Sequence, residues 1–96
     1  MKNKQMQKVL NRLQRELTNT VTSIWSNPRY RSDKKKIYRT VDAWKDVVNR
    51  YMMNTDDPYI MNGLWAVLNA VNYHVYDMEP KEAQYFITKV IERIGE

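Results

Sequence analysis

Cysteine is absent from this 96-residue chain, and histidine occurs once. The first absence excludes a disulfide frame, a thiolate nucleophile and a cysteine-based metal site. Without a second histidine, a zinc site lacks ligands as well. A cysteine-free chain suits a reducing compartment, and a cytoplasmic location is the expectation. Glycine and proline are scarce, two and three residues, so little of the chain is left for loops. No Gly-rich turn, Asn-Gly hairpin signal, internal repeat or low-complexity tract is present, and no segment sustains a two-residue apolar alternation. Strands are therefore not expected. The opening Met1–Lys8 is basic, but no apolar stretch of signal-peptide type follows it.

Formal charge is missing from Pro58 to Tyr76, 19 residues. A membrane helix needs about 20 predominantly apolar residues. This run contains Asn62, Asn69, Asn72, Tyr73, His74 and Tyr76, and three Asn with a His would be costly in lipid. A central helix of a soluble bundle is expected instead, with no membrane partner. A chain of this length forms one domain and buries roughly 60–70% of the surface its unfolded form exposes.

Four amphipathic segments are legible. Segment A runs from about Asn3 to Trp25, with Met6, Leu10, Leu13, Leu17, Val21 and Ile24 at three- and four-residue steps. Its Thr18–Ser23 stretch is a poor helix former, because β-branched and short polar side chains lose rotamers or compete for backbone bonds. Packing must hold that end. Pro28 disfavours helical geometry at Asn27. Segment B then starts either with Ser26 or Asn27 as cap, or with Ser32 or Asp33, the later start being favoured. Its stripe is Ile37, Val41, Trp44, Val48 and Tyr51, ending near Met53.

Asp57 caps segment C and Pro58 takes its first helical position. Ile60, Leu64, Val67, Leu68, Val71 and Val75 form its stripe to about Tyr76, with Met61 and Trp65 alongside. Apolar over most of its circumference, C is expected to be the most buried helix. Pro80 opens segment D, from about Lys81 to Ile94, with Ala83, Phe86, Ile87, Val90, Ile91 and Ile94 apolar and Gly95 as C-cap. The fold class expected is all-α: a compact antiparallel bundle of three to four helices.

Charge is unevenly placed. Arg29, Arg31, Lys34, Lys35, Lys36 and Arg39 put six cations into eleven residues against one acid, Asp33. That segment sums to +5, the formal charge of the whole chain. Residues 1–39 hold eleven basic and two acidic side chains, and residues 40–96 hold five and nine. Charge runs usually do no more than solvate a surface. Here the lysines fall at a helix start, where the dipole is positive and exposed cations cost about 0.3–1 kcal/mol each. Lys2 and Lys4 repeat this at the start of A. Such a helix entrance, ringed by Lys and Arg, is suited to phosphate. Tyr30 and Tyr38 interleave with the cations and supply rings able to stack on bases. Lys8, Arg12 and Arg15 of segment A, with Lys4, extend the patch if A presents them to the same side. Over about 30 Å that would match several phosphates of a duplex.

Other constellations are weaker. His74 has Asp77 three residues on but no second partner, and reads as a hydrogen-bonded, half-buried residue. Asp42 and Asp46 share a helix face and suit surface pairing with Arg39, Lys45 and Arg50 better than a metal. Asn62, Asn69, Asn72, Tyr73 and Tyr76 form either a polar element of the core or a contact surface for protein. Trp25 and Met52-Met53 read as helix-end packing.

The expectation is a non-enzymatic binding protein without cofactor or metal. Its basic A–B hairpin contacts the DNA or RNA backbone with little sequence specificity. The alternative is a protein-binding adaptor or inhibitor, of the type that mobile elements and viruses encode, docking on an acidic surface of a partner enzyme. Self-association through the stripe of A, giving a homo-oligomer, is a variant. A helical hydrolase using His74 or the Asp42/Asp46 pair is the weakest reading.

Overall fold

Each apolar stripe becomes one helix: α1 (Lys4–Trp25), α2 (Asp33–Met53), α3 (Pro58–His74) and α4 (Pro80–Gly95). The computed structural model describes residues 4–29 and 33–95, and for Asp33, His74 and Pro80 the backbone only. No strand occurs among the described residues. Among the described residues, no helix is long and apolar enough to cross a membrane.

The helix boundaries follow from local chemistry. Asp57 is the N-cap of α3, its carboxylate accepting from the Tyr59 amide at 2.9 Å, and Pro58 occupies the first turn. The poor helix formers at the end of α1 stay helical for two reasons. Leu17, Val21 and Ile24 are buried on one side. On the other, Thr20, Thr22 and Ser26 donate their hydroxyls to the carbonyls of Glu16, Thr18 and Thr22 four residues back, at 2.8, 3.1 and 2.8 Å. Of the two starts open to segment B, the later one is taken. Gly95 does not act as a left-handed cap. Its φ is not positive, α4 runs through it, and its carbonyl accepts from the Gln7 side chain of α1.

Interhelical contacts fix an up-down-up-down order. Trp44 of α2 donates its indole N–H to the Leu17 carbonyl of α1 at 3.0 Å. Gln14 of α1 meets Thr88 of α4 at 3.2 Å, while Gln7 meets Gly95. Tyr38, early in α2, meets Tyr76, just past the far end of α3. Consecutive helices are thus antiparallel neighbours. α1 packs on α2 and α4, and α3 packs on the same two, so α1 and α3 occupy opposite corners. The α1–α2 hairpin forms one layer and the α3–α4 hairpin the other, in a particle of 44 × 21 × 18 Å.

The core joins all four stripes, with Leu13, Trp44, Val67, Val71 and Ala83 wholly inaccessible. Segregating the α1 stripe here leaves none of it for a second copy of the chain, which removes the expected route to self-association. Gly63 permits close approach at the foot of the bundle. A Cβ there would stand 2.7 Å from Met6 Cε and 3.1 Å from Ile94 Cγ2. Thr40 is the exception to an apolar interior. It is buried, and its hydroxyl has no hydrogen-bond partner among the described residues. Thr40→Val keeps the shape and removes the unsatisfied group, so it is expected to stabilise by about 1 kcal/mol. A rise in urea midpoint at unchanged m-value checks this, and a fall would show that the hydroxyl has a partner.

Segment C is the most buried of the four helices among the described residues, as expected, but it is not covered all round. Tyr59, Trp65 and Tyr73 on its outer side are 51%, 49% and 77% exposed. A helix at the corner of a four-helix square covers only its inward half. The neutral side chains on the outward half reflect missing charge, not burial.

Candidate nucleic-acid interface

The buried residues of α1 define where its charges point. At 100° per residue, Lys4, Lys8, Arg12 and Arg15 fall within about 80° of one another, opposite the middle of the buried stripe. All four are exposed, and none is in an ion pair among the described residues. They span about 17 Å of helix axis. Beyond them the same face continues with exposed, uncharged Asn19, Thr22 and Ser26. No carboxylate interrupts it.

The single acid of α1, Glu16, is turned off this face toward α2. It accepts from Arg50 Nη2 at 2.6 Å and from the Tyr51 hydroxyl at 2.9 Å. Arg50 therefore pairs across helices and not with Asp46 on its own. Glu16, Arg50 and Tyr51 line a cleft of about 520 Å³ at the foot of the hairpin, flanked by Lys8 and Arg12 and closed by Asp56 and Asp57. The cleft holds both signs of charge, so it is the outer stripe, and not the cleft, that is purely cationic.

Burial pushes the Tyr51 phenol above its ordinary value of 10.0, and the hydrogen bond and negative charge of Glu16 add to this, against Arg12 and Arg50. A group whose pKa is raised by folding contributes stability that is complete below the unfolded value and is lost as pH climbs through the folded one. Tyr51→Phe is expected to flatten the decline of stability above about pH 10. Denaturant midpoints at pH 8, 10 and 11 test this. An alkaline decline as steep as the parent's would remove Tyr51 as a contributor.

The Arg29–Arg39 cluster is less concerted. Tyr30 and Arg31 lie outside the described residues. Arg29 is exposed in the turn after α1, where its amide donates to Asn27 Oδ1 at 2.9 Å. Lys34, Lys35 and Lys36 occupy consecutive positions of one helix, so they diverge by 100° per step. Lys36 turns toward α1 and is half-buried, its ammonium 4.8 Å from the Trp25 ring. Lys34 lies one turn before Tyr38, on the side where Tyr38 and Tyr76 approach to 5.7 Å. Lys35 points outward, one turn before Arg39, and both are exposed. Arg39 lines a shallow cleft with Asp42 and Asp46 of α2 and Asn19, Thr20 and Ser23 of α1.

The Asn/Tyr set on α3 is split by the fold. Asn72 and Tyr76 are half-buried toward α2, where Lys45 donates to the Tyr76 hydroxyl at 3.3 Å. Asn62, Asn69 and Tyr73 are exposed on the other side. There Ala66, Asn69, Ala70 and Tyr73 face Phe86 and Val90 of α4 across a groove of about 540 Å³. Sequence reading missed this groove and the Glu16–Arg50–Tyr51 contact, since both depend on the rotation of two helices against each other. His74 ends α3. No group of three or more metal-ligating residues exists among the described residues.

The two hairpins differ in charge. Residues 1–57 carry thirteen basic and six acidic side chains, and residues 58–96 carry three and five. Compared with known proteins, the chain matches no family model, and no curated protein or solved structure is similar to it.

Proposed function

We propose that the protein is a non-catalytic binder of nucleic-acid backbone, docking through the α1–α2 hairpin. The observation that carries this is the outward face of α1, where four exposed cations lie in one line with no carboxylate among them. Lys4, Lys8, Arg12 and Arg15 form the track. Arg29 and Lys35 add exposed cations at the opposite end of the hairpin. A line of cations on a helix exterior reads phosphate spacing and not base edges, so little sequence preference is expected. α3 has no charged side chain to present to a groove, which disfavours a helix-turn-helix mode.

A mobility-shift titration with duplex DNA and RNA at two salt concentrations tests the reading. The expected result is binding that weakens steeply with salt. Negligible affinity for both polymers at low salt overturns it. The second reading, an adaptor or inhibitor on an acidic protein surface, draws on the exposed Tyr59, Trp65 and Tyr73. Nuclease treatment before co-purification separates the two, because only a protein partner survives it.

A further inference from the structure

We infer that the α3–α4 face is a homodimer interface, in which α3 and α4 of a second copy pack antiparallel on α3 and α4 of the first. This goes beyond nucleic-acid binding and uses the opposite side of the molecule.

Two copies of a chain with net charge +5 repel, so they can meet only where like charge is sparse. The outward side of α3 has no formal charge, and Tyr59, Asn62, Ala66, Asn69 and Tyr73 repeat along it at steps of three and four. That is the spacing of a helix–helix seam.

Gly63 and Ile94 lie at one level, since a Cβ on Gly63 would stand 3.1 Å from Ile94. Moving about 9 Å along each antiparallel helix brings Asn69 level with Thr88. The midpoint of Ala66 and Tyr73 on α3 then lies level with the midpoint of Glu82 and Arg93 on α4. A two-fold axis crossing both helices there makes three pairings at once. Tyr73, 77% exposed, comes opposite Ala66 of the second copy, a large side chain against a small one, at the 540 Å³ groove beside Ala70 and Phe86. Glu82 comes opposite Arg93. Lys89 comes opposite the ring of Phe86. Glu82 and Arg93 are both exposed and are three helical turns apart, so they project from the same side of α4. One symmetry operation thus satisfies shape and charge together, as an isologous interface requires.

α3 is about 25 Å long and two adjacent helices are about 20 Å wide, giving roughly 500 Å² per copy. That total of roughly 1,000 Å² lies at the low end for specific association, so the dimer is reversible. Both α1 stripes remain on its outside, facing away from each other.

Sedimentation equilibrium of the nuclease-treated full chain, over about 5–500 μM, tests the inference. The mass is expected to move from one chain toward two. Ala66→Arg, at an exposed position, abolishes association. Glu82→Arg weakens it by about tenfold, and the double exchange Glu82→Arg with Arg93→Glu restores it to within about threefold. Lys8→Glu with Arg12→Glu, which lowers the repulsion between copies and leaves the α3–α4 face intact, does not weaken it. A single-chain mass at every concentration overturns the inference. So does association indifferent to Ala66→Arg, a double exchange no better than the single, or dissociation caused by the α1 variant.

Discussion

Trp44→Ala is expected to lower the melting temperature by about 15–25 °C. Trp44 is fully buried at the junction of α1 and α2, and its indole N–H donates to the Leu17 carbonyl. Truncating a buried tryptophan costs about 3–5 kcal/mol in lost burial and residual cavity. A domain of this size holds about 5–14 kcal/mol in all. With an unfolding entropy near 0.2 kcal/mol per degree, the shift follows. Trp44→Phe keeps most of the ring but loses the bond to Leu17, and falls between the two. Circular dichroism melts of the three proteins decide the matter. A drop below about 5 °C for the alanine variant would mean that α1 and α2 are not joined through this residue.

Reversing the α1 track is the second large effect. Four cations displacing counterions from four phosphates give a slope of log K against log salt of about −3.6. Lys8→Glu, Arg12→Glu and Arg15→Glu together are expected to bring that slope close to zero and to cut affinity at least about 100-fold at low salt. Lys34→Glu with Lys35→Glu is expected to cost less than about tenfold, because those two side chains diverge around α2. The triple variant keeps its fold. All three positions are exposed, and none belongs to the packed core. Retention of binding within about threefold by the triple variant would place the docking surface elsewhere.

How much of this could be read from residues alone differs by feature. Boundaries written in short-range chemistry were legible, as Asp57-Pro58 at the start of α3 illustrates. So were the six buried residues of α1, because a stripe at three- and four-residue steps has one way to be covered. The direction of the cations was not. Lys34, Lys35 and Lys36 look like one patch in a line of text, yet on a helix three consecutive residues face three ways. Lys4, Lys8, Arg12 and Arg15 share one face at steps of four and three, as their spacing announces, but which way α1 turns that face depends on its packing. Absence of charge in α3 reads as burial, which holds for its inner half, while Tyr73 and Trp65 face outward. Gly95 read as a cap because glycine so often ends helices. Its actual partner, Gln7, lies 88 residues away in the chain, where no local pattern could announce it.

Stacking a cationic hairpin on a weakly anionic one gives the molecule a transverse electric dipole across its short dimension. In the field of a polyanion that dipole exerts a torque within about a Debye length of contact, near 8–10 Å at ordinary ionic strength. On the proposed reading, the chain would therefore arrive already turned with α1 forward, and fewer encounters would be wasted on the wrong side. Substitutions that weaken this polarity without touching the track would slow arrival and leave residence time alone.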